Sequence, residues 1–169
     1  MILMTLGTIS FPFDRAIIWL KILLDRGVIS EKIFVQYGTS DISVLVGHPL
    51  VTLESTVTSE ELMKLVDASR LVISHAGQGS TRMLVARKAH FVILPRLQRY
   101  GEHVDDHQMR FAEAIAKYGI KHMMSIDAIE QAILQPPPIL QGQLFGGPKL
   151  TDYLLNQYPP ANTKVQLIS

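Results

Sequence analysis

Cysteine is absent from the 169 residues, which removes disulfides, thiolate zinc sites, iron–sulfur clusters and cysteine nucleophiles together. Such a chain fits a reducing compartment. An excess of one charge is missing too. Lys and Arg number 16 against 15 Asp and Glu, a formal net charge of +1, which argues against a dedicated nucleic-acid binder. Long apolar runs are also lacking. The greasiest stretch, Ala16 to Leu24, has nine residues and is interrupted by Lys21, far short of the ~20 that a helix needs to cross a bilayer. Met1-Ile2-Leu3-Met4 has no basic residue ahead of a hydrophobic stretch, so no signal peptide is expected.

What is present is an alternation of short apolar runs with longer helix-like stretches, at a length that suits one domain of ordinary size. Ile2 to Leu6, Ile33 to Tyr37, Leu50 to Leu53, Leu71 to Ser74, Phe91 to Leu94 and a short run around His122-Met123-Met124 read as strands. Helices are predicted over Phe13 to Arg26, from Thr58, over Gly79 to Arg87, Asp106 to Tyr118 and Asp127 to Leu134. Gly27 stands where a left-handed C-terminal cap belongs, and Thr58 with Glu61 has the spacing of a capping box. Strands that are continuously apolar, rather than alternating, are those buried on both faces. The fold class expected is therefore α/β, a doubly wound parallel sheet of about six strands.

Residues 1–135 form the expected domain, and 136–169 an extension. That extension holds Pro136-Pro137-Pro138, Gly146-Gly147-Pro148, one short helix over Lys149 to Tyr158 and a polar tail. On the first helix Ile18 and Ile22 project into the same arc as Asp14, Arg15, Lys21, Asp25 and Arg26. Burial on most sides accounts for that, or an apolar strip facing a partner or membrane surface.

Ligands of parallel α/β sheets bind beyond the carboxyl ends of the strands, and three such ends are unusual here. Gly7-Thr8 follows the first strand. Ser74-His75-Ala76-Gly77-Gln78-Gly79-Ser80-Thr81 follows the fourth. Pro95-Arg96 follows the fifth and leads to Gly101-Glu102-His103-Val104-Asp105-Asp106-His107-Gln108. Glycines at 77 and 79 let backbone amides approach a ligand, and Ser80 and Thr81 add hydroxyls at the first helical turn, an arrangement suited to phosphate. A tight turn with glycines needed only for packing explains the same residues. The segment is neither a Walker loop nor a dinucleotide fingerprint, since no Gly-Lys-Ser/Thr follows and position 82 is Arg. His103 and His107, with Asp105 and Asp106 between them, have metal-ligating chemistry. His103 falls ahead of the helix, however, so no single helix face gathers them, and no metal is expected. The other reading is a helix start with Asp106 as N-cap and His107 and Gln108 offering donors to a sugar. His48, His90 and His122 have no constellation around them, and no nucleophile elbow surrounds Ser74 or Ser80.

These residues carry a resemblance. The runs Ile73 to Ser80, Pro95-Arg96 and Gly101 to Gln108, with Thr5-Leu6-Gly7-Thr8 and Phe11-Pro12-Phe13-Asp14-Arg15 at the start, resemble the C-terminal domain of glycosyltransferase family 28. They are most similar to its stand-alone bacterial members from capsule and exopolysaccharide clusters, over about residues 1 to 135. The resemblance implies the nucleotide-sugar half of a GT-B transferase whose two halves are separate chains. Its eukaryotic counterpart is the catalytic subunit of the split UDP-GlcNAc transferase acting on dolichol-linked GlcNAc. It further implies a UDP-sugar as substrate, a lipid-linked saccharide acceptor, a membrane-anchored acceptor-binding partner and no cofactor or metal. The implied location is cytoplasmic, at the inner face of the membrane through that partner.

Carried over by position, Gly77, Gln78, Gly79, Ser80 and Thr81 surround the UDP phosphates, with His75 and Ala76 against the donor. Pro95 and Arg96 border the uracil pocket. Asp106, His107 and Gln108 contact the transferred sugar or its phosphates, and Gly7 and Thr8 face the cleft where acceptor and donor meet. Two positions depart from the family pattern. Met83 stands where members commonly carry a ribose-binding Glu, and Lys88-Ala89-His90 replaces a usual Gly-Lys-Pro. The expected activity is glycosyl transfer with inversion to a lipid-linked saccharide, which needs a general base for which Asp106 and His107 are candidates and which the partner can also supply. The alternatives are a non-catalytic nucleotide-sugar-binding or scaffold subunit, and a metal-dependent hydrolase built on His103, Asp106 and His107.

Overall fold

In a computed structural model, which describes residues 1–141, five short apolar runs pair into one parallel sheet. The strands are β1 (Ile2–Thr5), β2 (Ile33–Gln36), β3 (Val51–Glu54), β4 (Leu71–His75) and β5 (Phe91–Leu94), in the order β3-β2-β1-β4-β5. Ile2 lies opposite both Ile33 and Leu71, and Ile73 opposite Val92. Helices α1 (Asp14–Asp25), α2 (Ser59–Asp67), α3 (Gln78–Ala86), α4 (His107–Ala116) and α5 (Ile126–Leu134) cover it. The doubly wound α/β class is thus the observed one.

The strands are apolar throughout because both faces of the sheet are roofed. Ile2, Met4, Ile33, Val35, Ile73 and Leu94 join α1 and α5 in one core, whereas Leu3, Val72, Phe91 and Ile93 join residues of α2, α3 and α4 in the other. Only β3, at the edge, alternates between half-buried and exposed positions. The sixth expected strand is reduced to a single parallel bridge between His122 and Ile93. The Met123 N–H donates to the Ile93 carbonyl at 2.8 Å. Two residues later Ser125 accepts the Ala128 N–H and opens α5, so the chain turns into a helix before the ladder can extend.

Local signals hold at the helix ends. The Thr58 side chain accepts the Glu61 N–H at 3.2 Å, and Gly27 closes α1 at φ +69°. After α3 the left-handed position is taken by Lys88, at φ 53°. The departure from the family pattern there changes the residue but keeps the backbone a glycine would adopt. On α1, Ala16, Ile17, Leu20, Leu23 and Leu24 are buried, while Ile18 stays 52% exposed. The start of the extension returns to the domain, where His90 Nδ1 donates to the Pro137 carbonyl at 2.8 Å and Leu140 packs on the second core. The helix expected over Lys149 to Tyr158 lies outside the described residues, as does the rest of the extension. Among the described residues no helix is long and apolar enough to cross a membrane.

Candidate functional site

Strands β2 and β3 lie to one side of β1, and β4 and β5 to the other, so the direction of winding reverses between β1 and β4. In open parallel sheets the crevice at such a reversal, beyond the carboxyl strand ends, is where ligands bind. The three unusual strand ends all leave from that edge, and β1, β4 and β5 are consecutive neighbours in the sheet.

The turn after β1 is fixed from below. Gln36 is buried at the end of β2, where its Oε1 accepts the Thr5 hydroxyl at 2.7 Å and the Gly7 N–H at 3.2 Å. Its Nε2 donates back to the Gly7 carbonyl at 3.0 Å. Gly7 adopts φ +79°, and a Cβ there would stand 3.0 Å from His75 Nε2. A Cβ at Gly77 would stand 2.2 Å from His75 Cε1. The imidazole therefore fills the space between two bare backbones, one from each side of the reversal. Burial, and secondarily the nearby Arg96 charge, holds its pKa down to about 4, so the ring is neutral at pH 7. Nε2 shares a hydrogen bond with the Ser80 hydroxyl at 3.2 Å, and Nδ1 is buried without a partner among the described residues.

Gly77 is the N-cap of α3, in extended conformation. No side chain caps this helix and no acidic residue sits in its first turn, whereas Thr58 and Ser125 cap α2 and α5. The Thr81 N–H makes the first intrahelical bond, to the Gly77 carbonyl at 2.9 Å. The amides of Gln78, Gly79 and Ser80 are those an α-helix leaves without an intrahelical acceptor. A Cβ at Gly79 would meet nothing within 4 Å. Packing thus accounts for glycine at 77 and gives no reason for it at 79. Thr81 is fully buried, and its hydroxyl donates to the Gly77 carbonyl at 2.9 Å. Ala76 is buried, and Thr8 is exposed.

The Arg96 side chain turns inward instead of bordering an open pocket. It is fully buried, with Nη1 donating to the Phe11 carbonyl at 2.6 Å and the Glu102 carbonyl at 3.1 Å, and Nη2 to the Leu6 carbonyl at 2.7 Å. The guanidinium also lies 4.6 Å from the Phe13 ring centroid. Burial lowers its pKa to about 10, partly opposed by Glu102, so it stays charged. Pro95 is buried beside it, and any contact Arg96 offers a ligand comes through its backbone. Gln108 is committed too, its buried Oε1 accepting the Arg96 N–H at 3.2 Å. A second cation holds the same loop from outside. Arg15 of α1 makes a bidentate pair with buried Glu102, both contacts at 2.8 Å, and donates to the Pro95 carbonyl at 2.9 Å.

Asp106 takes the expected N-cap position of α4, though without the side-chain bond of a cap. Its Oδ1 accepts the Gln98 N–H at 2.8 Å. The preceding carboxylate takes over: Asp105 Oδ1 accepts the His107 N–H at 3.0 Å and lies 2.6 Å from His107 Nδ1. Those bonds, the backbone one first, keep the Asp105 carboxyl below its usual range. His103 Nδ1 is 3.4 Å from the same oxygen. His103, Asp105 and His107 each bring one ligand-type atom within 4.8 Å of the others, so the segment gathers what no helix face does. Burial, then the charge of His107, lowers the His103 pKa.

Sequence reasoning gave no role to Gln36, Arg15 or Glu102. For Gln36 a signal existed, an amide ending the apolar run Ile-Phe-Val; for Arg15, read on the polar arc of its helix, and Glu102, quoted inside a motif, nothing local marked them as a pair. Beside that pair opens a groove of about 370 Å³, lined by Pro12, Asp14, Ile18, Trp19 and Tyr100 together with Arg15 and Glu102.

Comparison with known proteins gives this geometry a context. The family described as Glycosyltransferase family 28 C-terminal domain matches residues 1–136. Solved structures with a similar fold include the glycotransferase of kitacinnamycin, at 13% identity and TM-score 0.57, covering 79% of this chain and 34% of that one. SnogD from Streptomyces nogalater aligns at 15% identity and TM-score 0.52, covering 83% of this chain and 41% of its own. MurG of Acinetobacter baumannii aligns at 20% identity and TM-score 0.55, covering 78% and 40%. At these identities the likeness is one of fold, and this chain spans less than half the length of each. No curated protein matches the sequence.

Proposed function

From membership of the glycosyltransferase family 28 C-terminal domain family, to which this chain belongs, we propose that the protein is the donor-binding, catalytic subunit of a two-component UDP-sugar glycosyltransferase. In this reading it transfers a hexose or N-acetylhexosamine, with inversion, to a lipid-linked saccharide in capsule or exopolysaccharide synthesis. The observation that carries the reading is the corner at 75–81, where an uncapped helix start faces the reversal of the sheet and Gly79 lacks a side chain for no packing reason. A diphosphate supplies the acceptors that the Gln78, Gly79 and Ser80 amides lack, and its charge sits at the positive end of α3.

Catalysis then consists of positioning and of stabilising negative charge on departing UDP. Neutral His75 sets the separation of the two glycine turns and holds Ser80 toward the corner. The Arg96 and Arg15–Glu102 contacts fix the loop that carries Asp106 and His107 toward the sugar, and buried Gln108 anchors it through the Arg96 N–H. Asp106 and His107 remain the candidate bases on this chain. The groove with exposed Ile18 and Tyr100 supports docking of an acceptor-binding partner, which holds this subunit at the inner face of the membrane.

Met83 favours a second reading. It packs partly buried against the second core at the position of the family's ribose-binding Glu, so donor recognition has one contact fewer. A non-catalytic nucleotide-sugar-binding or scaffold subunit has no need of it. Calorimetry with UDP, followed by transfer of labelled sugar to a lipid-linked acceptor with and without the partner, separates the readings. The expected result is UDP binding by the lone chain and transfer only beside the partner. Full transfer by the lone chain rejects the two-component reading, binding without transfer beside the partner selects the scaffold, and no UDP binding rejects both.

A further inference from the structure

Residues 103–106 form an irregular segment ahead of α4, and with His107, the first residue of that helix, they turn three side chains to one point. Asp105 Oδ1 stands at its centre, 2.6 Å from His107 Nδ1 and 3.4 Å from His103 Nδ1. The Asp105 N–H donates to His103 Nδ1, also at 3.4 Å, which makes that nitrogen an acceptor. Both ring nitrogens thus lie against one carboxylate oxygen, whose negative charge attracts a cation able to replace the hydrogens that now join the three groups. We infer that His103, Asp105 and His107 form a three-ligand site for a divalent transition metal, with zinc the best fit.

Metal–nitrogen and metal–oxygen bonds of about 2.0–2.2 Å put ligand atoms roughly 3–4 Å apart. The three ligand atoms already lie within 4.8 Å of one another, so binding requires only small side-chain shifts, among them a parting of the 2.6 Å contact between Asp105 and His107. His103 is set in advance: its side chain is 14% exposed, its ring stacks on Phe11 at 5.8 Å and it meets the His107 ring edge-on at 4.3 Å. Asp105 and His107 are half exposed, at 52% and 49%, which leaves the fourth position of a tetrahedral ion open to water or to an oxygen of a bound ligand. Two imidazoles and a carboxylate select zinc, cobalt, nickel or copper(II) over calcium or magnesium.

The site does not depend on the transferase reading, and its test contains no nucleotide. Untagged protein stripped with chelator is titrated with zinc by calorimetry, and the cobalt-loaded form is read by its visible absorption. Binding of one ion per chain is expected, with affinity falling about tenfold or more in each of H103A, D105A and H107A and unchanged in H48A, all four checked for native melting. Absence of stoichiometric binding, or binding that persists in H103A and D105A, overturns the inference and leaves a hydrogen-bonded cluster only. UDP affinity measured on the stripped protein reports separately on the proposed function.

Discussion

A single methyl group added at position 77 or at position 79 tests two different demands on glycine. At 77 it would lie 2.2 Å from His75 Cε1, so G77A should destabilise the fold by about 1–3 kcal/mol and weaken UDP binding with it. At 79 it meets nothing, and alanine in the first turn of α3 should gain up to about 1 kcal/mol of helix stability. Yet it would stand where the diphosphate approaches, and UDP affinity should fall about tenfold. Urea unfolding and calorimetry on both variants read this; undiminished UDP binding by G79A removes the phosphate role from the corner. His75 itself predicts a pH dependence. Its folded pKa of about 4 lies below the ~6.5 of an unfolded histidine. As pH falls, the unfolded chain takes up the proton first, so the stability this residue contributes is full above about pH 6.5. It is lost progressively down to about pH 4, roughly 3 kcal/mol in all. Urea midpoints of wild type and H75N across that window should converge at the acid end; parallel curves assign the slope to other groups.

At the scale of elements, buried Arg96 ties down three segments, since its donors end on carbonyls of Leu6, of Phe11 and Pro12, and of Glu102. R96A leaves those carbonyls without their donor and should cost about 3–5 kcal/mol. R96K should recover little, because an ammonium cannot reproduce a planar fork. Unfolding midpoints measure both, and a loss below about 1 kcal/mol would show that the loops hold without it. This residue also marks where the sequence stops being legible. Four of the five strands are readable because burial on both faces leaves a continuous apolar run, edge strand β3 gives a weaker one, and caps such as Thr58 act within three residues. The glycine corner is readable for the same reason, its signal being local. An arginine aimed at a ligand and one buried under carbonyls look alike in a sequence. So do Asp105 and Asp106, whose division of labour depends on where residue 98 passes. The His122 segment fails as a strand because the cap of α5 wins the competition for the chain.

For the whole molecule, the proposed ligand bridges both halves of the sheet and should stabilise all of it. At a UDP concentration about 100-fold above Kd, linkage adds about 2.7 kcal/mol. For a domain of this size that raises Tm by about 5–10 °C. Uridine, without the diphosphate, should give far less, and equal shifts from both in a thermal melt would contradict a phosphate-centred site. The two flanks of the sheet set a different constraint. On one side β3 offers four residues, ending in a carboxylate at Glu54. On the other, β5 is partly shielded by its bridge to His122. Among the described residues neither border is a long, bare row of unmatched amides and carbonyls of the kind that recruits a foreign strand. A protein that docks here must therefore be met by loops and helix faces, and complex formation will be decided by side chains and not by lengthening the ladder.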